Sequence, residues 1–141
     1  MSNTIDLHKL PHLMYDAWNR GDMDAFYSFI AEEVEDVGGD SSGLAGVRGI
    51  LDHIRTAFPD FQYTVDHVVA DGDWLVVRLT ATGTQTGVFF GWPPTGKRAT
   101  WKEMRYCRIA NDKTVEHHAC LDNMGLLSQL GHIQLPERSN W

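Results

Sequence analysis

The chain has 141 residues, of which 43% are hydrophobic and 22% are charged, and its formal net charge at pH 7 is −7. This composition is typical of a globular domain with one core and excludes an intrinsically disordered chain. The acidic balance and the lack of any Lys/Arg cluster argue against partners such as nucleic acid or an anionic membrane surface. We therefore expect residues 1–141 to form a single domain.

The compartment is predicted from signals that the sequence lacks. The segment MSNTIDLHKL has no basic start followed by an apolar run, so we expect no signal peptide. No apolar stretch approaches the roughly 18 residues of a membrane-spanning helix. Cys107 and Cys120 are too far apart in sequence for a CxxC motif. These features predict a cytoplasmic protein.

Three helical segments are predicted before residue 60. Pro11 lies near the predicted start of the first helix and Gly21 ends it, Asp22 caps the second, and Pro59 follows the third. Between the second and third helices, VEDVGGDSSGLAG predicts a short strand and a flexible loop. The apolar residues expected on the buried helix faces are Leu10, Met14, Ala17 and Trp18, then Ala25, Phe26, Phe29 and Ile30, then Val47, Ile50, Leu51 and Ile54.

After residue 60 the hydrophobic period changes to two, which indicates β-strands. FQYTVDHVVADGDWLVVRLTATGTQ alternates around Asp71–Gly72 and predicts a hairpin. ATWKEMRYCRIANDKTVEHHACLD predicts a second hairpin that turns near Asn111–Asp112, and GVFFGWPPTGK is the proline-stiffened loop between the two. Helices followed by antiparallel strands predict an α+β fold, with the helices on one face of a curved sheet.

The register of the second hairpin decides which side chains share a face. With Asn111–Asp112 as the turn, Arg105 is predicted opposite His118 and Cys107 opposite Glu116. In this register the two cysteines lie roughly 13 Å apart, which is too far for a disulfide. The predicted polar face holds Trp101, Glu103, Arg105, Cys107, Glu116, His118, Cys120 and Asp122, and the opposite face holds Met104, Tyr106, Val115, Ala119 and Leu121.

The segments FPDFQYTVDHVVADGDWLVVRLTATGTQTG, FGWPPTGKRATW and LDNMGLLSQLG occur in the order typical of the SnoaL-like polyketide cyclases, which the chain resembles from Gly46 to Gly131. The resemblance implies a nuclear-transport-factor-like cone, in which three N-terminal helices and a bent antiparallel or mixed sheet enclose an apolar pocket, usually in a dimer. It also implies a cofactor-independent enzyme that closes a ring by an intramolecular aldol reaction. The aspartate that transfers protons in this family matches Asp122.

Asp122 is the predicted general acid/base. A carboxylate in an apolar pocket has its pKa raised by desolvation, so it can take and return a proton near neutral pH. An aspartate before NMGLLSQLG is equally a good helix cap. His118 shares the predicted face and either polarises a substrate carbonyl or is a surface histidine. We predict Asp122, His118 and Arg105 as the catalytic set.

Alternative functions stay open at this stage. Glu103, Arg105 and Asp122 resemble the acid–Arg–acid trio with which limonene-type epoxide hydrolases activate water, although the order of the first two residues is reversed. An isomerase of the ketosteroid type in the same cone, or a non-catalytic carrier of small apolar ligands, would also fit. Glu103 and Arg105 could equally form a simple cross-strand ion pair. The residues predicted to contact an apolar, polycyclic or aromatic carbonyl substrate are Glu103, Trp101, Cys107, Tyr15, Trp18, Phe58, Phe89 and Trp92.

We predict no metal and no organic cofactor. His117 and His118 are neighbours in a strand and point to opposite faces, so they cannot easily share an ion. GWPPTG lacks the spacing of a phosphate-binding loop. The predicted partners are a small apolar organic substrate and a second copy of the chain, which would cover the sheet face that holds Met104, Tyr106 and Leu121.

Overall fold

The structure is a computed structural model, and it describes residues 2–37 and 43–141. Most of the predicted glycine–serine loop, residues 38–42, lies outside the described residues. None of the helices in the described ranges is long and apolar enough to cross a membrane. In chain order the elements are α1 (Leu10–Arg20), α2 (Met23–Ser28), β1 (Ile30–Val37), α3 (Gly43–Ala57), β2 (Gln62–Asp71), β3 (Trp74–Thr84), β4 (Arg98–Ala110), β5 (Lys113–Leu121), α4 (Asn123–Gln129) and a short 3₁₀ helix, Arg138–Asn140.

The five strands form one curved, open sheet in the order β1-β5-β4-β3-β2. β1 pairs with β5 in parallel, and every other neighbouring pair is antiparallel. α1 packs against β2, α3 against β1, and α4 against β4. The predicted α+β fold, with helices and a mixed sheet around a pocket, is confirmed.

The first helix forms as its sequence predicts. Pro11 stands in the first turn, where its missing N–H costs nothing, and Gly21 ends the helix with a left-handed φ of 75°. Leu10 and Trp18 are 2% and 3% exposed. The Trp18 indole also donates from Nε1 to the carbonyl oxygen of Phe61 at 3.3 Å, which ties α1 to the start of β2. The contact of Trp18 with Phe61 therefore holds α1 against the sheet.

The second and third helices differ from the prediction at their ends. Asp22 caps α2 as expected, accepting from the Ala25 N–H at 3.1 Å, but the helix ends at Ser28. Ile30 was expected on the helix and is instead the first residue of β1, where it pairs with Thr114. α3 ends at Ala57, two residues before Pro59, because the residue before a proline disfavours helical backbone.

The predicted register of the β4–β5 hairpin is wrong beyond its turn. The turn is at Asn111 and Asp112 as expected, with φ of 51° and 61°. The register shifts between the Ile109–Thr114 and Arg108–Glu116 pairs, so β5 carries one extra residue. A β-bulge of this kind moves every following side chain to the other face. Arg105 is therefore paired with Ala119 rather than His118.

The bulge exchanges the two faces of β5. The side chains on the same side of the sheet as Arg105 and Cys107 are His117, Ala119 and Leu121, all of which line a cavity. The expectation that Glu116, His118 and Cys120 share the pocket face is wrong, and so is the expectation that Ala119 and Leu121 lie on the opposite face. Both cysteines are free, and they now lie on opposite faces of the sheet.

Candidate active site

A cavity of about 540 Å³ lies between the helices and the concave side of the sheet. This volume is within the range of small-molecule sites, roughly 300–1,000 Å³. Its lining is mostly apolar, and α3 contributes Val47, Ile50, Leu51 and Ile54, the apolar face predicted from the sequence. The predicted contact residues that do line the cavity are Tyr15, Trp18, Phe89, Trp92 and Cys107.

Three polar side chains meet in the sheet wall of this apolar cavity. β1 and β5 run in parallel with Asp36 directly beside His117, and the Nδ1 of His117 lies 2.8 Å from the Asp36 Oδ1. On the other side of the ring, the Nε2 of His117 lies 3.2 Å from the Nη1 of Arg105. All three residues line the cavity. The result is an Asp–His–Arg row that crosses three neighbouring strands.

The hydrogen bonds determine the protonation state of His117. The Arg105 guanidinium can only donate, so the Nε2 of His117 must accept and its proton must sit on Nδ1, which donates to Asp36. Burial lowers the pKa of His117 and the Arg105 charge lowers it further, while Asp36 opposes both effects. The imidazole is therefore neutral at neutral pH. A neutral imidazole backed by a carboxylate is suited to accept a proton.

Arg105 is held in place by a cluster of buried side chains in and behind the cavity wall. Its Nη2 donates to the Glu103 carboxylate and, at 3.3 Å, to the Tyr63 hydroxyl. Glu103 is 2% exposed and also accepts from the Trp101 Nε1 at 2.8 Å. Burial by itself would lower the pKa of Arg105, but the Glu103 carboxylate raises it well above its ordinary value. The guanidinium is thus a permanent, positioned positive charge in the cavity wall.

Two predicted catalytic residues lie outside the cavity. His118 points to the outer face of the sheet, where its Nε2 lies 2.8 Å from the Glu116 carboxylate. Asp122 is exposed and caps α4, accepting from the Gly125 N–H at 2.9 Å. The predicted position of Asp122 on the pocket face is therefore wrong, because the bulge in β5 places it beside Lys102 rather than Trp101. Its acid/base role stays a prediction.

The other predicted contact residues divide between the cavity wall and the layer behind it. Trp101, Glu103 and Phe58 are fully buried and support the wall rather than line it. Cys107 lines the cavity, and burial raises the pKa of its thiol to about 12. The thiol is therefore protonated at neutral pH and is a poor nucleophile. Within the described residues, no group of three or more His, Cys, Asp or Glu side chains could hold a metal ion.

Sequence reasoning missed Asp36 and His117. The parallel pairing of β1 with β5 joins residues that are 81 positions apart, and no local pattern indicates it. The bulge could have been suspected, because Ala119 and Leu121 are an apolar alternation that suits the concave face better than the outer one. Because His117, Ala119 and Leu121 alternate on one face of β5, assigning Ala119 and Leu121 to the concave face would also have placed His117 there.

Comparison with known proteins agrees with this architecture. A family model described as SnoaL-like polyketide cyclase matches residues 8–130. The aklanonic acid methyl ester cyclase DnrD of Streptomyces peucetius is 26% identical over 137 residues, which cover 93% of this chain and 92% of DnrD. The solved structure of AclR from Streptomyces galilaeus, provisionally described as a hydroxylase, superposes with a TM-score of 0.83 at 29% identity and covers 93% of this chain and 88% of AclR. IdmH from Streptomyces antibioticus, provisionally described as a polyketide cyclase, has a TM-score of 0.78 at 28% identity over 90% of this chain and 99% of IdmH.

Proposed function

This chain belongs to the SnoaL-like polyketide cyclase family, and on that premise we propose that it closes a ring by an intramolecular aldol reaction of an apolar, polycyclic or aromatic carbonyl compound. The observation that carries the proposal is the neutral His117 in the wall of an apolar cavity, between the Asp36 carboxylate and the Arg105 guanidinium. The reaction moves one proton out and one proton back, so the side chains present can perform it without a cofactor.

The proposed reaction assigns one task to each polar group. The Nε2 of His117 removes a proton from the carbon next to a substrate carbonyl, and Asp36 stabilises the imidazolium that forms. Arg105 stabilises the negative charge that develops on the enolate oxygen. The enolate carbon attacks a second carbonyl of the same molecule, a C–C bond forms, and the new alkoxide takes the proton back from His117. Atoms and charge balance within the substrate and the imidazole.

His117 is better placed for this task than Asp122. The Asp122 carboxylate accepts from the N–H of Gly125 at the start of α4, on an exposed surface. Its neighbour Asn123 lines the cavity, whereas Asp122 does not. A helix-capping carboxylate in water has no reason to exchange protons with a buried ligand, so the proton transfer is assigned to His117.

The alternatives are less well supported. An acid–Arg–acid trio of the epoxide hydrolase kind would need a second carboxylate on β5 opposite Glu103 and Arg105. The residues at those positions are Leu121 and Ala119. A passive carrier of apolar ligands would gain nothing from the buried ion pair of Arg105 with Glu103. Removing these charges from water costs several kcal/mol per ion unless their attraction and hydrogen bonds compensate for it. The ion pair in the cavity wall therefore favours a catalytic function over passive ligand transport.

A pair of matched histidine variants tests the proposal on aklanonic acid methyl ester, the compound for which DnrD is named. His117→Gln should reduce turnover by about 10²–10⁴-fold, the share that a general base supplies. His118→Gln is the control, because it alters the same strand on its outer face, and it should keep wild-type turnover. Near wild-type turnover of the folded His117→Gln protein would contradict the proposal. Loss of turnover in Asp122→Asn, with wild-type melting temperature, would return the role to Asp122.

A further inference from the structure

Arg105 occupies the lone pair that the proposed base needs. The Nη1 of Arg105 lies 3.2 Å from the Nε2 of His117, and that nitrogen cannot take a proton while it accepts this hydrogen bond. Arg105 therefore acts as a clamp on the resting base. Some event during substrate binding has to release the clamp, and the geometry of the row restricts what the event can be.

Resting on the function proposed above, we propose that the site recognises the enolisable edge of a carbonyl compound. The carbonyl oxygen draws the Nη1–H of Arg105 away from His117, and the freed Nε2 then faces the hydrogen on the adjacent carbon. Substrate binding and activation of the base are in this way one step. A ligand without an oxygen next to an acidic C–H leaves the clamp closed.

The spacing of the two groups selects this edge. The donor on Arg105 and the acceptor on His117 are neighbours, so a ligand that meets both must present an acceptor oxygen and an acidic hydrogen about three bonds apart. A ketone does this with its oxygen and its α-hydrogen. Hydrolysis of an epoxide or an ester would instead place a water molecule between the base and the reacting carbon. The short distance between Arg105 and His117 leaves less room for that water molecule.

Arg105 can turn toward a ligand without leaving its place. Its Nη2 end is tethered to Glu103 and Tyr63, while the hydrogen bond of Nη1 within the described part of the chain is to His117. Its Nε is buried and has no hydrogen-bond partner among the described residues. The guanidinium carries five N–H donors and uses only part of them, so an added oxygen gains a hydrogen bond that the resting site does not supply.

The first experiment observes the clamp directly, in ¹⁵N-labelled protein, with two matched probes. 2-Acetylnaphthalene carries the carbonyl and an enolisable methyl group, and 2-ethylnaphthalene has the same carbon skeleton without the oxygen. The ketone should shift the Nε2 signal of His117 toward that of an unbonded lone pair, and its methyl hydrogens should exchange with D₂O. The hydrocarbon should change neither. An equal Nε2 shift with both probes, or no shift with the ketone bound, would overturn the clamp.

The second experiment removes Arg105, which is both the clamp on His117 and the proposed donor to the enolate oxygen. Replacing Arg105 alone would leave Glu103 as a buried unpaired charge, so both are replaced in Glu103→Gln/Arg105→Gln. Exchange of the methyl hydrogens should fall by about 10²–10³-fold, because the enolate oxygen loses its donor. Arg105→Lys serves if the double variant does not fold, and it should lose at least about tenfold because lysine lacks the two-ended geometry.

The outcomes separate this inference from the proposed function. Exchange that requires His117 but is unchanged in Glu103→Gln/Arg105→Gln overturns the clamp and leaves the proposed base in place. Exchange that survives His117→Gln contradicts the proposed function itself. Exchange that falls in both variants, with an Nε2 shift only for the ketone, supports both.

Discussion

His117 is a base whose working range is fixed by its two neighbours. Its pKa is lowered below the ordinary value of 6.5 by burial and by Arg105, and Asp36 raises it. The active form is the neutral imidazole, so turnover should fall as the pH drops through this lowered pKa. At neutral pH the imidazole of His117 is already neutral, so its titration should not make the rate vary with pH.

Changing Asp36 to Asn tests this assignment. The variant removes the carboxylate that raises the pKa of His117, so the acid limb of the rate–pH profile should move to lower pH. The plateau rate should fall by about 10²–10⁴-fold, because the imidazolium loses its counter-charge and the asparagine NH₂ can donate to Nδ1 and favour the wrong tautomer. A profile measured by stopped-flow or discontinuous assay checks both effects. An acid limb that stays in place would show that another group titrates.

Asp122 is expected to matter for stability rather than for turnover. Its carboxylate accepts the Gly125 N–H at the start of α4. Asp122→Ala should lower the free energy of unfolding by about 1 kcal/mol, whereas Asp122→Asn should lower it little, because asparagine caps nearly as well. Urea unfolding measures the difference. Wild-type stability of the alanine variant would contradict the capping role.

At the scale of elements, the β4–β5 turn holds the N-terminal segment. The Asp112 carboxylate accepts the N–H groups of Thr4 and Ile5 at 2.7 and 2.8 Å, and also the Thr4 hydroxyl. These bonds keep Asp112 at a positive φ, which a non-glycine residue adopts at a cost. Ile5 in turn packs against the core. The turn therefore joins two segments more than a hundred positions apart.

Replacing Asp112 should loosen this junction. Asp112→Gly relieves the backbone but loses every bond to Thr4 and Ile5, so we expect a net loss of stability and faster amide exchange at Ile5. The Ile5 N–H bond is the main cause that lowers the pKa of Asp112. A lowered carboxyl pKa stabilises the fold above the unfolded value and loses that effect as the pH falls through the folded one. The wild type should therefore lose its stability advantage over Asp112→Asn in acid. An advantage that persists there would contradict this account.

At the scale of the whole molecule, the outer face of the sheet is the expected dimer surface. Met104 and Tyr106 are 51% and 46% exposed there, and Trp74 stacks on Tyr106 with ring centroids 4.6 Å apart. Leu121, predicted on the same surface, lines the cavity instead. An exposed apolar patch of this kind suits a second copy of the chain.

Charged substitutions can test the two faces separately. Met104→Glu/Tyr106→Glu should convert the dimer to a monomer in sedimentation at micromolar concentration, because two carboxylates would be buried at the interface. Leu121→Glu on the cavity side is the control and should leave the sedimentation coefficient unchanged. A wild-type chain that sediments only as a monomer would contradict the prediction.

Local chemistry was enough to predict the elements. Gly21 ends α1 because glycine tolerates the left-handed φ, and Asn111–Asp112 makes the second hairpin turn because Asn and Asp tolerate it as well. Period-two alternation identified β2 to β5, and the apolar face of α3 proved to be a cavity wall. Each of these signals acts between residues a few positions apart, so a single sequence contains it.

Only the tertiary structure decided which side chains form the site. One extra residue in β5 turns His117 inward and His118 outward, and the parallel pairing of β1 then brings Asp36 beside His117. The sequence predicted Arg105 correctly on the cavity side, because it lies before the bulge on the regular strand. The bulge and the parallel pair depend on contacts between distant segments, and their energies come from the packed sheet as a whole rather than from any local preference.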